Sequence, residues 1–178
     1  MAFVFQPDPS LAEFNAFCTV AEADEYQETK LNTTWAALPT ATKEKLIAWA
    51  SREMDAIGWI GLKTNPTQPM QFPRSYVPID GGYTGSITDD AYGTYYFDPD
   101  EVIPPVKLAT AELAGILAVE DTTADDGLSR FNEIKVESIA LKINSQSRLS
   151  WMKPSIKNLC WRYMVNASPY NAPTQRVG

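Results

Sequence analysis

Gln68-Pro69-Met70-Gln71-Phe72-Pro73-Arg74 is the stretch on which the reading of this chain turns. Each proline fixes its own φ and pushes the residue before it out of the helical region, so the stretch runs as an extended strap. Met70 and Phe72 are apolar side chains inside it, and the groove between the flanking helices is where they are expected to go. Phe72, Pro73 and Arg74 then form a structural strap with Arg74 as its polar anchor. A surface loop with one buried Phe is the plainer alternative. The helical segments before the strap end at Gly58-Trp59-Ile60-Gly61, and Ile103-Pro104-Pro105-Val106-Lys107 opens another beyond it.

Upstream, Thr19-Val20-Ala21-Glu22 has the capping-box pattern, in which a threonine hydroxyl and a glutamate carboxylate satisfy each other's orphan N–H groups. The pattern predicts a helix from Val20 to about Lys30, with Val20, Ala23, Tyr26 and Leu31 on one side and Asn32-Thr33-Thr34 as its break. Trp35 and Leu38 read as core plugs. Pro39-Thr40 opens a second helix over about Ala41–Ile57. Its Leu46, Ile47, Ala50, Met54 and Ile57 make one apolar stripe at 3.6 residues per turn. Glu53, at the edge of that stripe, is placed to pair with Arg74 or a neighbouring subunit, or to lie half-exposed. Gly58 is the expected left-handed stop.

Downstream, residues 75–101 are rich in Tyr, Gly and Asp and read as a hairpin or long loop. Tyr83, Tyr92, Tyr95, Tyr96 and Phe97 make it a contact surface for a subunit or another chain. Asp89, Asp90, Asp98, Asp100 and Glu101 lack the spacing of an EF-hand loop, so no metal is expected. Pro104 or Pro105 starts a third helix with Val106, Ala109, Leu113, Ile116 and Leu117 on its apolar face. Between Glu133 and Ile143 the period changes to two and reverses phase near Ser138, read here as one strand with a bulge. Ile156, Leu159 and Cys160 give a short closing helix. The expected fold class is mainly α: a small helical bundle with a Pro-rich strap, a long loop or β-hairpin insert, one or two short strands and an extended C-terminal arm. The domain would run over 1–164, with the insert at 75–101 and the tail at 165–178.

Composition narrows the chemistry. The 178 residues contain no histidine, which removes His-based triads and the commonest metal ligand. The two cysteines, Cys18 and Cys160, have no metal-ligand spacing and read as buried small hydrophobes in a reducing compartment. No apolar run is long enough to span a bilayer, so no membrane partner is expected. No paired catalytic constellation or phosphate-cradling glycine loop stands out, so no enzyme and no cofactor are expected. Net charge is −7 but divided. Residues 1–133 hold 8 Lys+Arg against 21 Asp+Glu, a net of −13, and residues 134–178 hold 7 against one, a net of +6. Such a basic end suits docking on nucleic acid, another protein or a neighbouring copy. Lys153, Lys157, Arg162, Tyr163, Tyr170 and Arg176 are its candidate contact residues.

The order of these motifs resembles the head-to-tail connector, or adaptor, proteins of tailed bacteriophages, a family that often carries the label DnaT-like single-stranded-DNA-binding protein. The resembling residues are Thr19–Tyr26, Trp35, Lys43–Ala50, Met54-Asp55, Trp59-Ile60-Gly61, the Gln68–Arg74 strap, Ile103–Ala114 and the Ile156–Cys160 helix. Phe72 departs from the family in standing where Trp is usual before Pro-Arg, and the 75–101 insert is long. The resemblance implies a structural virion protein of the neck, assembled in the host bacterial cytoplasm. It implies a ring, a dodecamer of this chain, below the portal protein, joined to tail, nozzle or terminator proteins, with genomic double-stranded DNA passing through its lumen. The alternative is single-stranded DNA binding in phage replication, for which Lys153, Lys157 and Arg162 near Trp151, Trp161 and Tyr163 supply charge and aromatic faces.

Overall fold

The computed structural model describes residues 3–79, 96–120, 133–136, 139–142 and 152–165. The fold is mainly α. Helices α1 (Val20–Thr29), α2 (Thr33–Ala36), α3 (Thr40–Asp55), α4 (Pro104–Leu117) and α5 (Pro154–Cys160) carry it, with a 3-10 turn at Trp161–Tyr163. Strands β1 (Leu62–Lys63) and β2 (Arg74–Ser75) pair antiparallel, as do β3 (Glu133–Val136) and β4 (Ile139–Lys142).

Helix α4 is the axle, packed against α1, α3 and α5. It starts where Pro104 and Pro105 can sit without losing a hydrogen bond. Val106, Ala109, Thr110, Ala111, Glu112, Leu113, Ala114, Gly115 and Leu117 are all buried, so it is covered on nearly every side. Its small residues let neighbours come close. Gly115 lies directly under the Gln27 amide, and a Cβ there would collide with it. Gln27 is itself buried and donates to the Ala111 carbonyl at 2.6 Å. Helix α1 opens with the expected capping box, Thr19 and Glu22 each bonding the other's backbone N–H. Lys107 on α4 then reaches Glu22 at 2.8 Å.

The strap runs through the core. Phe72 is fully buried and Pro73 follows it through a cis peptide bond. The Phe72 ring lies 5.8 Å from Phe17 and 5.3 Å from Trp59, both edge-on, and Phe14 extends the row from Phe17 at 6.0 Å. Phe72 therefore wedges between the segment before α1 and the turn after α3. Edge-to-face rings of this kind add about 0.5–1.5 kcal/mol per pair beyond their buried area. Ser51 on α3 accepts from the Phe17 N–H at 2.8 Å, which ties the same segment to α3.

Several expectations are corrected. Leu31 is 85 % exposed, not on the core side of α1, because the chain turns left-handed there at φ +55°. Gly58 is not a left-handed stop. Helix α3 ends on Ala56 in the right-handed region, and among the described residues the left-handed glycine is Gly61 at φ +79°. A Cβ on Gly61 would sit 2.5 Å from the Ser75 carbonyl oxygen, so glycine is needed there. The 133–143 run is not one bulged strand. It forms two antiparallel strands with Ile134 opposite Leu141 and Val136 opposite Ile139. The end of the domain also pairs with the turn after α3: Trp59 bridges Met164, Ile60 N–H donates to Tyr163 and Val165 N–H to Gly58. Residues 166–178, and with them most of the tail, lie outside the described residues.

Candidate functional site

Arg74 follows Pro73, whose fixed backbone sends the chain into β2 opposite Lys63. Its guanidinium is turned into the protein and spends its donors on carbonyls: Nε on Ile60 at 2.8 Å, one terminal nitrogen on Trp59 at 3.1 Å and Gly61 at 2.6 Å, the other on Gln71 at 3.2 Å. The Gln71 side-chain oxygen accepts at 3.0 Å. Only a planar five-donor fork can serve so many acceptors at once. The nearby acid is Asp55, not Glu53. Burial raises the Asp55 carboxyl above its ordinary value, against the Gln71 N–H at 2.5 Å and the charges of Lys63 and Arg74. Burial likewise lowers the Arg74 guanidinium, opposed by Asp55. The strap is thus a structural lock, with Arg74's donors committed inside the chain.

A second polar knot joins three helices. Glu112 on α4 is 3 % exposed and accepts from Lys30 Nζ at 2.5 Å and from Tyr26 Oη at 3.3 Å, both on or next to α1. Burial works to raise its carboxyl, but hydrogen bonds from Lys30 and from Ser155 of α5, the Lys30 charge and the Tyr26 hydroxyl outweigh it and hold it below its ordinary value. Burial and Glu112 push the Tyr26 phenol up to about 12.

The surface best suited to a ligand lies on α5. Lys153, Lys157 and Trp161 stand four residues apart, which places them along one face. All three are exposed, Trp161 by 39 %. The exposed Arg162 guanidinium carbon lies 5.5 Å from the Trp161 ring centroid. Ile156 and Cys160, on the adjoining face of the helix, are fully buried, and α5 packs against α4. Residues 152–165 contain no acid. Glu120, which ends the α4 segment, meets Lys153 at 3.2 Å, with both side chains well exposed. A row of cations ending in an accessible indole offers phosphate contacts and a stacking face together.

The expected contact residues separate accordingly. Lys153, Lys157 and Arg162 come together on this face. Tyr163 does not join them: it is 7 % exposed, packs on Phe97 at 5.9 Å and donates to the Ile79 carbonyl at 2.8 Å. Trp161, expected only under the single-stranded-DNA alternative, stands with them at its four-residue spacing from Lys157. In the insert, Tyr96 is exposed and meets the exposed Tyr76 edge-on at 6.0 Å, whereas Phe97 is half-buried. Tyr83, Tyr92, Tyr95, Trp151, Tyr170 and Arg176 lie outside the described residues. Asp98 accepts from the Asp100 N–H at 2.9 Å and so caps its own turn. Burial drives both cysteine thiols up to about 12.

Comparison with protein families matches residues 1–177 to the family described as "Putative DnaT-like ssDNA binding protein". Comparison with curated proteins and with solved structures gave no match. Because the family match runs over practically the whole chain, this protein belongs to the DnaT-like ssDNA-binding-protein family.

Proposed function

We propose that this chain binds single-stranded DNA without catalysing a reaction on it, and that the α5 face makes the contact. The observation that carries this reading is the exposed row of Lys153, Lys157, Trp161 and Arg162, within a segment 152–165 that itself contains no acid. Cations neutralise phosphates and release counterions, while the indole accepts a base on its open face whatever the sequence. The family description points the same way. The chain has no imidazole, and both of its thiols are buried and held protonated.

The test is fluorescence anisotropy of a labelled oligothymidine against salt. Binding should weaken linearly in log–log form with a slope of about −2, as expected for three phosphate contacts on a single strand. Trp161→Ala should cost about 1–3 kcal/mol of affinity. Absence of binding at low salt would overturn the reading.

A second reading, a connector ring between portal and tail around genomic double-stranded DNA, is favoured by a different observation. Residues 1–133 are strongly acidic, which suits a wall that does not grip phosphates, and Tyr76 and Tyr96 present an exposed aromatic pair suited to protein contact. Mass photometry of the chain with a cognate portal ring, without DNA, tests it. A saturating heavier species supports the connector, and no shift at micromolar concentration counts against it.

A further inference from the structure

We infer that the exposed ring pair of Tyr76 and Tyr96 is a second base-stacking site for single-stranded DNA, next along from the α5 face. The inference deepens the DNA-binding reading and rests on it. It starts from a large ring in a strained place. Tyr76 stands at φ +60°, a conformation that glycine or asparagine takes readily and a bulky residue seldom adopts. The strain brings no burial in return, since Tyr76 is 67 % exposed. Backbone strain that serves no packing is a mark of a site held ready for a ligand.

Its companion is placed by the backbone. Pro78 and Tyr96 form an antiparallel bridge, and the Phe97 N–H donates to the Val77 carbonyl at 3.0 Å. The 96–97 segment therefore lies alongside 77–78. The two tyrosine rings meet at 6.0 Å with their planes 87° apart. In an edge-on pair the ring that gives its edge keeps both faces clear, and the other loses only one. Flat aromatic surface is left open to solvent on two rings that steady each other.

The pair is continuous with the α5 face through Tyr163. That ring packs on Phe97 at 5.9 Å, and its hydroxyl donates to the Ile79 carbonyl at 2.8 Å. Tyr163 thus grips both segments that carry the pair. It shares one 3-10 turn with Trp161 and Arg162, the end of the cationic row away from Lys153. A strand with phosphates on Lys153 and Lys157 and a base on Trp161 has the tyrosines next in line. The pair adds rings and no cation. The acids of its segment, Asp98, Asp100 and Glu101, come after Phe97, and Asp98 is turned onto the Asp100 N–H at 2.9 Å. Division of labour follows: α5 carries the phosphates, and the tyrosines hold bases by their π faces whatever the sequence.

The experiment is fluorescence anisotropy with oligothymidines of about 4 and about 16 residues, which span the site sizes of single-strand-binding folds. Wild type should hold the longer strand more tightly, and Trp161→Ala should weaken both. Tyr96→Ala should weaken the longer on the order of tenfold, the loss of one base–ring stack, and leave the shorter near wild type. Its salt slope should not change, because a phenol neutralises no phosphate. Tyr96→Phe keeps the ring and should bind as wild type does. Tyr76→Asn suits the left-handed backbone, so its melting temperature should stay level or rise while affinity for the longer strand falls. Normal binding of the longer strand by both Tyr96→Ala and Tyr76→Asn overturns the inference and leaves the α5 reading standing. Variants that bind DNA normally but lose a portal ring in mass photometry also overturn it, and make the pair a protein contact. A wild type that binds neither strand overturns both.

Discussion

The strap and the α5 face are built from similar material and do opposite things. Both are short, both contain a proline, and each ends near an arginine beside an aromatic residue: Phe72 with Arg74, Trp161 with Arg162. In the strap the aromatic is fully buried and the guanidinium is surrounded by carbonyls of Trp59, Ile60, Gly61 and Gln71. On α5 the indole is 39 % exposed and the guanidinium lies over it at the surface. The difference lies in which acceptors surround each arginine. The turn after α3 leaves carbonyls that no helix or sheet satisfies, and Arg74 serves them. The α5 helix satisfies its own backbone, so Arg162 has no such inward demand. The comparison separates a residue that holds the fold from one of the same type that is available to a partner.

That contrast can be broken by mutation. Phe72→Ala should destabilise by about 3–5 kcal/mol, since it removes a ring packed between Phe17 and Trp59, and a large drop in the denaturation midpoint would register it. Arg74→Ala should cost about 3 kcal/mol by leaving several carbonyls without a donor, and Arg74→Lys should recover little because an ammonium lacks the planar fork. If Arg74→Ala melts like the wild type, the lock is not one.

The Glu112 knot sharpens the comparison through pH. Its carboxyl sits below its ordinary value, so the folded state binds the proton less readily than the unfolded state. The stability it contributes is present above the unfolded value of about 4.3 and is lost as pH falls through the lower folded value. Asp55, raised by burial, works in the opposite direction, since ionising it opposes folding. Glu112→Gln should therefore cost about 1–2 kcal/mol at neutral pH, the half-exposed Lys30 limiting the loss, and should flatten the acid limb of a stability–pH curve. An unchanged acid limb would show that the knot contributes nothing through its charge.

The smallest stability effect belongs to α5. Trp161→Ala and Lys157→Ala should each change stability by less than about 0.5 kcal/mol while weakening oligothymidine binding. A large stability loss from either would move that residue from the ligand face to the scaffold.

Much of the scaffold was legible from local chemistry. The capping box at Thr19–Glu22, the proline start of α4, the apolar stripe of α3 and the burial of Phe72 follow from rules that act within one or two turns of chain. The candidate face was half legible. Lys153, Lys157 and Arg162 stood out by charge, but Tyr163 and Trp161 are neighbours in one 3-10 turn, and nothing local says which ring faces Phe97 and which faces solvent. The left-handed turn at Leu31 was missed because leucine carries no signal for it, and Gly58 was given the conformation that Gly61 adopts.

Sequence alone therefore determined the helices, their caps, the buried strap and the division of charge, because these depend on hydrogen bonds and apolar spacing between residues close in the chain. Only the tertiary structure decided that Arg74 serves four residues' carbonyls, that Glu112 joins α1 to α4 and α5, and that Trp161 rather than Tyr163 is exposed. Those outcomes depend on which unsatisfied groups and which open spaces distant segments bring together, and no local pattern encodes that.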